Sequence, residues 1–134
     1  MGGGCLILAD NHHEMLGSMR NLLSPLFDAI LMVSDEDSLL IVAEKVRPEL
    51  IVVDLSLPVS SQINVARRLS SKFPDTKFII LSIHDESVAV NECLEAGAAG
   101  FVLKRAAATD LVPAIEAVRR GETYFSPVKQ FCTN

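Results

Sequence analysis

Five short apolar runs alternate along the chain with five segments in which apolar residues return at helical spacing. The first run, Cys5–Ala9, predicts a strand. It is followed by a helix carrying Met15, Met19, Leu22, Leu23 and Leu26 on one stripe and ending near Pro25. Ala29–Val33 predicts the second strand. The helix after it opens in Ser34-Asp35-Glu36-Asp37, where acids meet the positive end of the dipole. It turns Leu39, Ala43 and Val46 inward and is closed by Pro48. Residues 50–53 form a third strand that runs directly into Asp54. A helix over 63–72 then has Val65, Ala66 and Leu69 as its core stripe. Residues 78–81 predict strand four, and 86–96 a helix stopped at Gly97, which takes a left-handed C-terminal turn at low cost. Residues 100–103 predict strand five. The last helix, 110–120, carries Leu111, Ile115 and Val118 inward, with Thr109 as N-cap, Pro113 in the first turn and Gly121 as the stop.

Strands that each lead into a helix wind, by right-handed crossovers, into a parallel sheet covered on both faces. In a doubly wound α/β sheet, ligands sit beyond the carboxyl ends of the strands, where strand order reverses. The residues at those ends are Asp10 and Asn11 after strand one, Asp54 after strand three, Ser82 after strand four and Lys104 after strand five. Two carboxylates, an amide, a hydroxyl and an ammonium converge on one edge.

Composition narrows the function. The 134 residues suffice for a single domain with one core, and 49% of them are hydrophobic, which suits a sheet buried on both faces. A net charge of −5, 5% aromatics and no Trp argue against direct nucleic-acid binding by these residues. Cys5, Cys93 and Cys132 are far apart and unpaired in spacing, so neither a disulfide framework nor a zinc site is expected, and Cys93 reads as buried and reduced. No apolar run reaches membrane-spanning length, and the Gly-rich start has neither a signal peptide's charged region nor the Ser or Thr of a myristoylation site. Residues 1–4 are expected to be a flexible N-terminus, and the compartment cytoplasmic, without membrane contact.

Carboxylates beside a lysine suit phosphoryl transfer. Asp54 would be the nucleophile and become an acyl phosphate. Mg2+ is the natural ion, since it prefers hard oxygens and keeps several waters. Asp10, Asn11, Asp54 and the Ser56 backbone carbonyl are its candidate ligands. Lys104 would pair with the phosphoryl oxygens, and the Ser82 hydroxyl would follow them.

The motifs ILAD (7–10), VVDLSLP (52–58), IILS (79–82) and AGFVLK (99–104) resemble the response-regulator receiver family in type, order and spacing. The tail AIEAVRRGETYFSP (114–127) is similar to the NarL/FixJ (LuxR-type) branch, whose members commonly carry a C-terminal helix-turn-helix. The resemblance implies a flavodoxin-like (βα)5 fold with strand order 2-1-3-4-5. It also implies phosphorylation of Asp54 by a histidine kinase, a switch through Ser82 and Phe101, and control of transcription in the full-length protein. By analogy, a homodimer would form through a helical face. The receiver would occupy 5–122, and 123–134 would begin a linker to an absent output domain, through which alone DNA would be bound.

Three departures from the family pattern stand out. Asn11 replaces the second acid, which removes one negative charge from the metal site and implies weaker Mg2+ binding. Val59-Ser60-Ser61-Gln62 lacks the glycine usual after Pro58, which leaves the path of that loop open. Arg105 follows Lys104 where proline is frequent; a cis bond there would cost about 3–4 kcal/mol.

Other polar groups have plainer readings. His12 and His13 are expected to be polar loop residues, His84-Asp85-Glu86 the opening of a helix, and Arg67-Arg68 and Arg119-Arg120 solvated helix faces. A rival reading keeps the fold but not the phosphorylation: a pseudo-receiver acting as a protein-interaction module, favoured by Asn11 and the altered loop. A phosphatase of the haloacid dehalogenase kind needs a second Asp where Ser56 stands and is set aside.

Overall fold

The computed structural model describes residues 4–57, 65–83 and 87–125, excepting the side chains of 87–89. Expectations about residues 1–3, the 58–64 loop with the helix start at 63, His84-Asp85-Glu86, Pro127 and Cys132 lie outside the described residues. The elements are β1 (Cys5–Ala9), α1 (His13–Leu23), β2 (Ala29–Val33), α2 (Glu36–Val46), β3 (Leu50–Asp54), α3 (Val65–Lys72), β4 (Lys77–Ser82), α4 (Ser87–Glu95), β5 (Gly100–Leu103), α5 (Ala107–Arg119) and β6 (Tyr124–Phe125). They build one parallel sheet in the order β2-β1-β3-β4-β5-β6. Strand order reverses between β1 and β3, where the doubly wound rule places a ligand. The predicted 2-1-3-4-5 order is present, with β6 added at the β5 edge.

Strand alternation sorts the core into two layers. Ile7 and Ala9, Ile51 and Val53, Phe78 and Ile80, and Phe101 and Leu103 pack under α2, α3 and α4. Leu6 and Leu8, Leu50 and Val52, Ile79 and Leu81, and Val102 pack under α1 and α5. Because every inner strand is buried on both faces, a slip of one residue would exchange the two layers, so register is strongly fixed. That register sets the functional edge. Ala9 pairs with Val53, which puts Asp10 and Asp54 level on neighbouring strands; Asp54 pairs with Leu81, and Ser82 with Leu103. By the same alternation, Ser82 and Phe101 share the α2–α4 face.

Local signals account for some boundaries. The Asp35 carboxylate caps α2 by accepting from the Ser38 N–H at 2.7 Å. Gly97 ends α4 with φ +101°. Gly100 sits where a Cβ would lie 3.0 Å from Ile79 Cγ1 and 3.1 Å from the Tyr124 carbonyl oxygen, so its missing side chain admits β6.

Several expectations need correction. α5 begins at Ala107, with Ala106 as N-cap, so Thr109 is no cap; its hydroxyl donates to the Ala106 carbonyl at 3.1 Å. Pro113 therefore lies inside the helix, not in its first turn. The reason is local: Lys104–Ala106 forms a 3-10 turn, and the strong helix formers Ala106, Ala107 and Ala108 carry the helix back to the strand end. Pro113 and Thr109 are both exposed, so the Thr109 carbonyl that loses its partner can meet water. Val46 is 39% exposed rather than inward, since Arg47 ends α2 in a left-handed turn (φ 52°). In α1 the fully inward residues are Leu16, Met19 and Leu23, while Met15 and Leu22 are half-buried, as is Leu26 in the 3-10 turn that follows.

Two arginines expected to be solvated hold elements together. Arg68 Nε donates to buried Glu36 at 2.9 Å, tying α3 to α2. Arg119 lies 4.1 Å over the Phe27 ring and donates to the Leu26 carbonyl at 2.9 Å. Cys93 is buried and free, as expected. All described peptide bonds are trans, including 104–105. No helix among the described residues is long and apolar enough to cross a membrane.

Candidate functional site

Three of the strand-end residues meet in a charge network. Lys104 Nζ lies 2.9 Å from Asp10 Oδ2 and 3.1 Å from Asp54 Oδ2. Both carboxylates are buried, and the lysine side chain is 12% exposed. The Asp54–lysine contact is a hydrogen bond. The Asp10 contact is an ion pair whose angles fall short of one. Asp10 Oδ2 therefore has no hydrogen-bond donor among the described residues. Two carboxylates against one ammonium leave the cluster with a net negative charge.

The turn after β3 holds Asp54 in place. The Ser56 N–H donates to Asp54 Oδ1 at 3.1 Å, and the Ser56 hydroxyl to Oδ2 at 2.9 Å. Among the described residues, Oδ1 thus accepts one backbone donor, whereas Oδ2 faces Lys104 and Ser56, with His12 Nδ1 3.9 Å away. Ser56 reaches the site through its N–H and hydroxyl, groups the sequence reading did not invoke. Ser82 is buried at the end of β4. Phe101 is fully buried, its ring stacked on Phe125 with centroids 6.3 Å apart and planes 13° from parallel.

His12 is the exposed loop residue expected, but it also reaches the charge network. Its N–H donates to Asp10 Oδ1 at 2.9 Å, an Asx turn that folds the ring back over the carboxylates. Its Nδ1 comes within 2.8 Å of Asp10 Oδ1, 3.2 Å of Lys104 Nζ and 3.9 Å of Asp54 Oδ2. Asp10, His12 and Asp54 each offer a ligand atom within 4.8 Å of the others, so a metal ion could be held there. The signal was available: a histidine two residues after a strand-end Asp is where an Asx turn aims a side chain back. Its neighbour His13 opens α1, and Asn11 is exposed between the two inward-reaching groups.

A parallel sheet with helices on both faces, and a lysine shared by two strand-end carboxylates at its switch point, defines a receiver-type signalling module. The chain belongs to the response regulator receiver domain family, which matches residues 6–116. Among similar proteins, the transcriptional regulatory protein DegU of Brevibacillus brevis is 29% identical over 124 residues, covering 91% of this chain and 52% of that protein. The oxygen regulatory protein NreC of Staphylococcus carnosus is 35% identical over 82 residues, 60% of this chain and 38% of NreC. The chain spans about half the length of the curated relatives it matches. A LuxR-family two-component response regulator from Aurantimonas superposes with TM-score 0.83 at 27% identity, covering 94% of this chain and 91% of that one. The isolated receiver domain of RcsB from Salmonella enterica serovar Typhimurium, solved with the phosphomimetic BeF3−, gives TM-score 0.86 at 23% identity over 96% and 98% of the two chains, a likeness of fold. The chain is thus a response-regulator receiver domain whose relatives include transcriptional regulators and a LuxR-family response regulator.

Proposed function

We propose that Asp54 accepts a phosphoryl group from a histidine kinase and that the modified site switches an output surface through Ser82 and Phe101. The buried Asp54 carboxylate, presented at the sheet's switch point and shared with Lys104, is the observation that carries this reading. One Asp54 oxygen forms a P–O bond as the P–N bond to the kinase's phosphohistidine breaks. The bonding pair returns to the imidazole nitrogen, which takes up a proton. Oδ1, with one backbone donor among the described residues, is the oxygen freer to attack. Lys104 follows the transferred oxygens, and the Ser56 N–H holds the carboxylate in line.

The site fits a divalent cation. Asp10 Oδ2 is buried without a hydrogen-bond donor among the described residues, and the cluster has excess negative charge. Asp10, Asn11, Asp54 and the Ser56 carbonyl would hold Mg2+, which would neutralise charge developing on the phosphoryl oxygens. Asn11 makes this affinity weaker than in a site with two acids after β1. In the full-length protein, the domain regulates transcription through a separate DNA-binding domain, in the cytoplasm, and pairs with a second copy through a helical face.

The test is incubation with a small acyl phosphate and Mg2+, read by intact mass. Wild type gains one phosphoryl group and Asp54→Asn gains none. Absence of an adduct on wild type at every Mg2+ concentration would instead favour a pseudo-receiver, the reading to which Asn11 points.

A further inference from the structure

We propose that His12 is a protein ligand of the cation site through Nδ1, in place of the second acid that Asn11 does not supply. This nitrogen biases the site toward late first-row divalent ions such as Co2+ relative to Mg2+. The proposal rests on reading the acidic edge as a cation site, and it adds a ligand and a selectivity to that reading.

Separations of the donor atoms carry the geometry. An octahedral ion with ligands at about 2.1 Å spaces neighbouring donors by about 3 Å and opposite ones by about 4.2 Å. His12 Nδ1 lies 2.8 Å from Asp10 Oδ1, close to the spacing of neighbouring donors, and 3.9 Å from Asp54 Oδ2, between the two spacings. The Asx turn holds the His12 backbone beside Asp10, and ligation through Nδ1 would replace its 2.8 Å contact with Asp10 Oδ1.

Two further observations mark the focus of these groups as a place for positive charge. Asp10 Oδ2 is buried and lacks a hydrogen-bond donor among the described residues. The chain's own cation, Lys104 Nζ, already sits 2.9, 3.1 and 3.2 Å from Asp10, Asp54 and His12. A divalent ion would take over contacts that the ammonium makes in its absence.

The imidazole chemistry sets the selectivity. Ligation by Nδ1 requires the tautomer protonated on Nε2, and the ring is 63% exposed, so water can accept that proton's hydrogen bond. Carboxylate and amide oxygens alone suit Mg2+. An imidazole favours Co2+, Ni2+ and Zn2+, in keeping with the rising affinity of nitrogen donors along the first row.

The experiment titrates Co2+ and Mg2+ calorimetrically into wild type, His12→Gln and His13→Gln, and records pulsed EPR on the Mn2+-loaded proteins. Circular dichroism confirms that each variant is folded. Expected are a Co2+ affinity at least about tenfold weaker in His12→Gln, a much smaller change for Mg2+, and a 14N coupling to Mn2+ that only this variant abolishes. Ions that bind wild type and His12→Gln equally, without 14N coupling, would overturn the role of His12 while sparing the cation site. Coupling lost in His13→Gln instead would also overturn it. If neither Co2+ nor Mg2+ binds wild type, the cation site itself is wrong and this inference falls with it.

Discussion

At the β1–β3 half of the sheet's edge, Asp10 and Asp54 share one ammonium at 2.9 and 3.1 Å, whereas at the β4–β5 half Ser82 is buried and Phe101 packs against Phe125. The first half is governed by charge. Adding or removing one charge there shifts the local balance directly, and burial makes the change costly. The second half is governed by contact, and its energy changes only when a ring or strand moves. A phosphoryl group on Asp54 alters the first half directly. It reaches the second through Ser82, which is one residue beyond the partner of Asp54 and lies on the same face of the sheet as Phe101. The two halves should therefore respond to different perturbations.

The largest separation should come from a pair of charge substitutions. Lys104→Met leaves two buried carboxylates without their cation and should destabilise the fold by about 3 kcal/mol. Asp10→Asn leaves one carboxylate with one ammonium, and should stabilise by on the order of 1 kcal/mol through relief of the excess negative charge. Chemical denaturation of both variants checks the contrast. If both destabilise equally, packing rather than charge governs this half.

A smaller effect should appear in alkali. Burial among apolar residues, with a contribution from Glu92, pushes the Cys93 thiol up to about 11 from an ordinary 9.0. The unfolded chain therefore loses this proton before the folded one does. The stability linked to Cys93 is fully present below pH about 9 and is lost as pH rises through about 11, amounting to at most about 3 kcal/mol. Cys93→Ala should remove that part of the alkaline decline in stability. An identical pH profile in the variant would place the decline elsewhere.

The charge half was largely legible in the sequence, because chemistry-bearing residues at strand ends follow from the strand pattern alone. Asp10, Asp54 and Lys104 converge as their positions implied. What escaped was His12, since its role comes from an Asx turn rather than from periodicity. The packing half was less legible. β6 has only two residues, too few to show alternation, and exists because Gly100 leaves room beside β5. The α5 boundary was misplaced because the alanines of 106–108 carry no amphipathic signal, although their propensity extends the helix. Arg68 and Arg119 were misread because a charge run on a helix does not reveal which member finds a buried partner.

The smallest expected effect tests the packing half. Phe125 is half-buried and its ring is the stacking partner of Phe101. Truncation in Phe125→Ala should cost about 1 kcal/mol, the value of a stacked aromatic pair with modest apolar burial. The chain has one tyrosine and no tryptophan, and that tyrosine, Tyr124, lies in β6. Tyrosine fluorescence therefore reports on this strand. In wild type it should change together with global unfolding, because β6 is held by pairing with β5 and by the stacked rings. In Phe125→Ala it should change at lower denaturant than circular dichroism, since the two-residue strand has lost its side-chain anchor. Phosphoryl transfer to Asp54 from a small donor should be unaffected, because among the described residues the ring contact of Phe125 is with Phe101. A slower adduct in this variant would show that packing at β5 feeds back on the charge half, and the division between the two would fail.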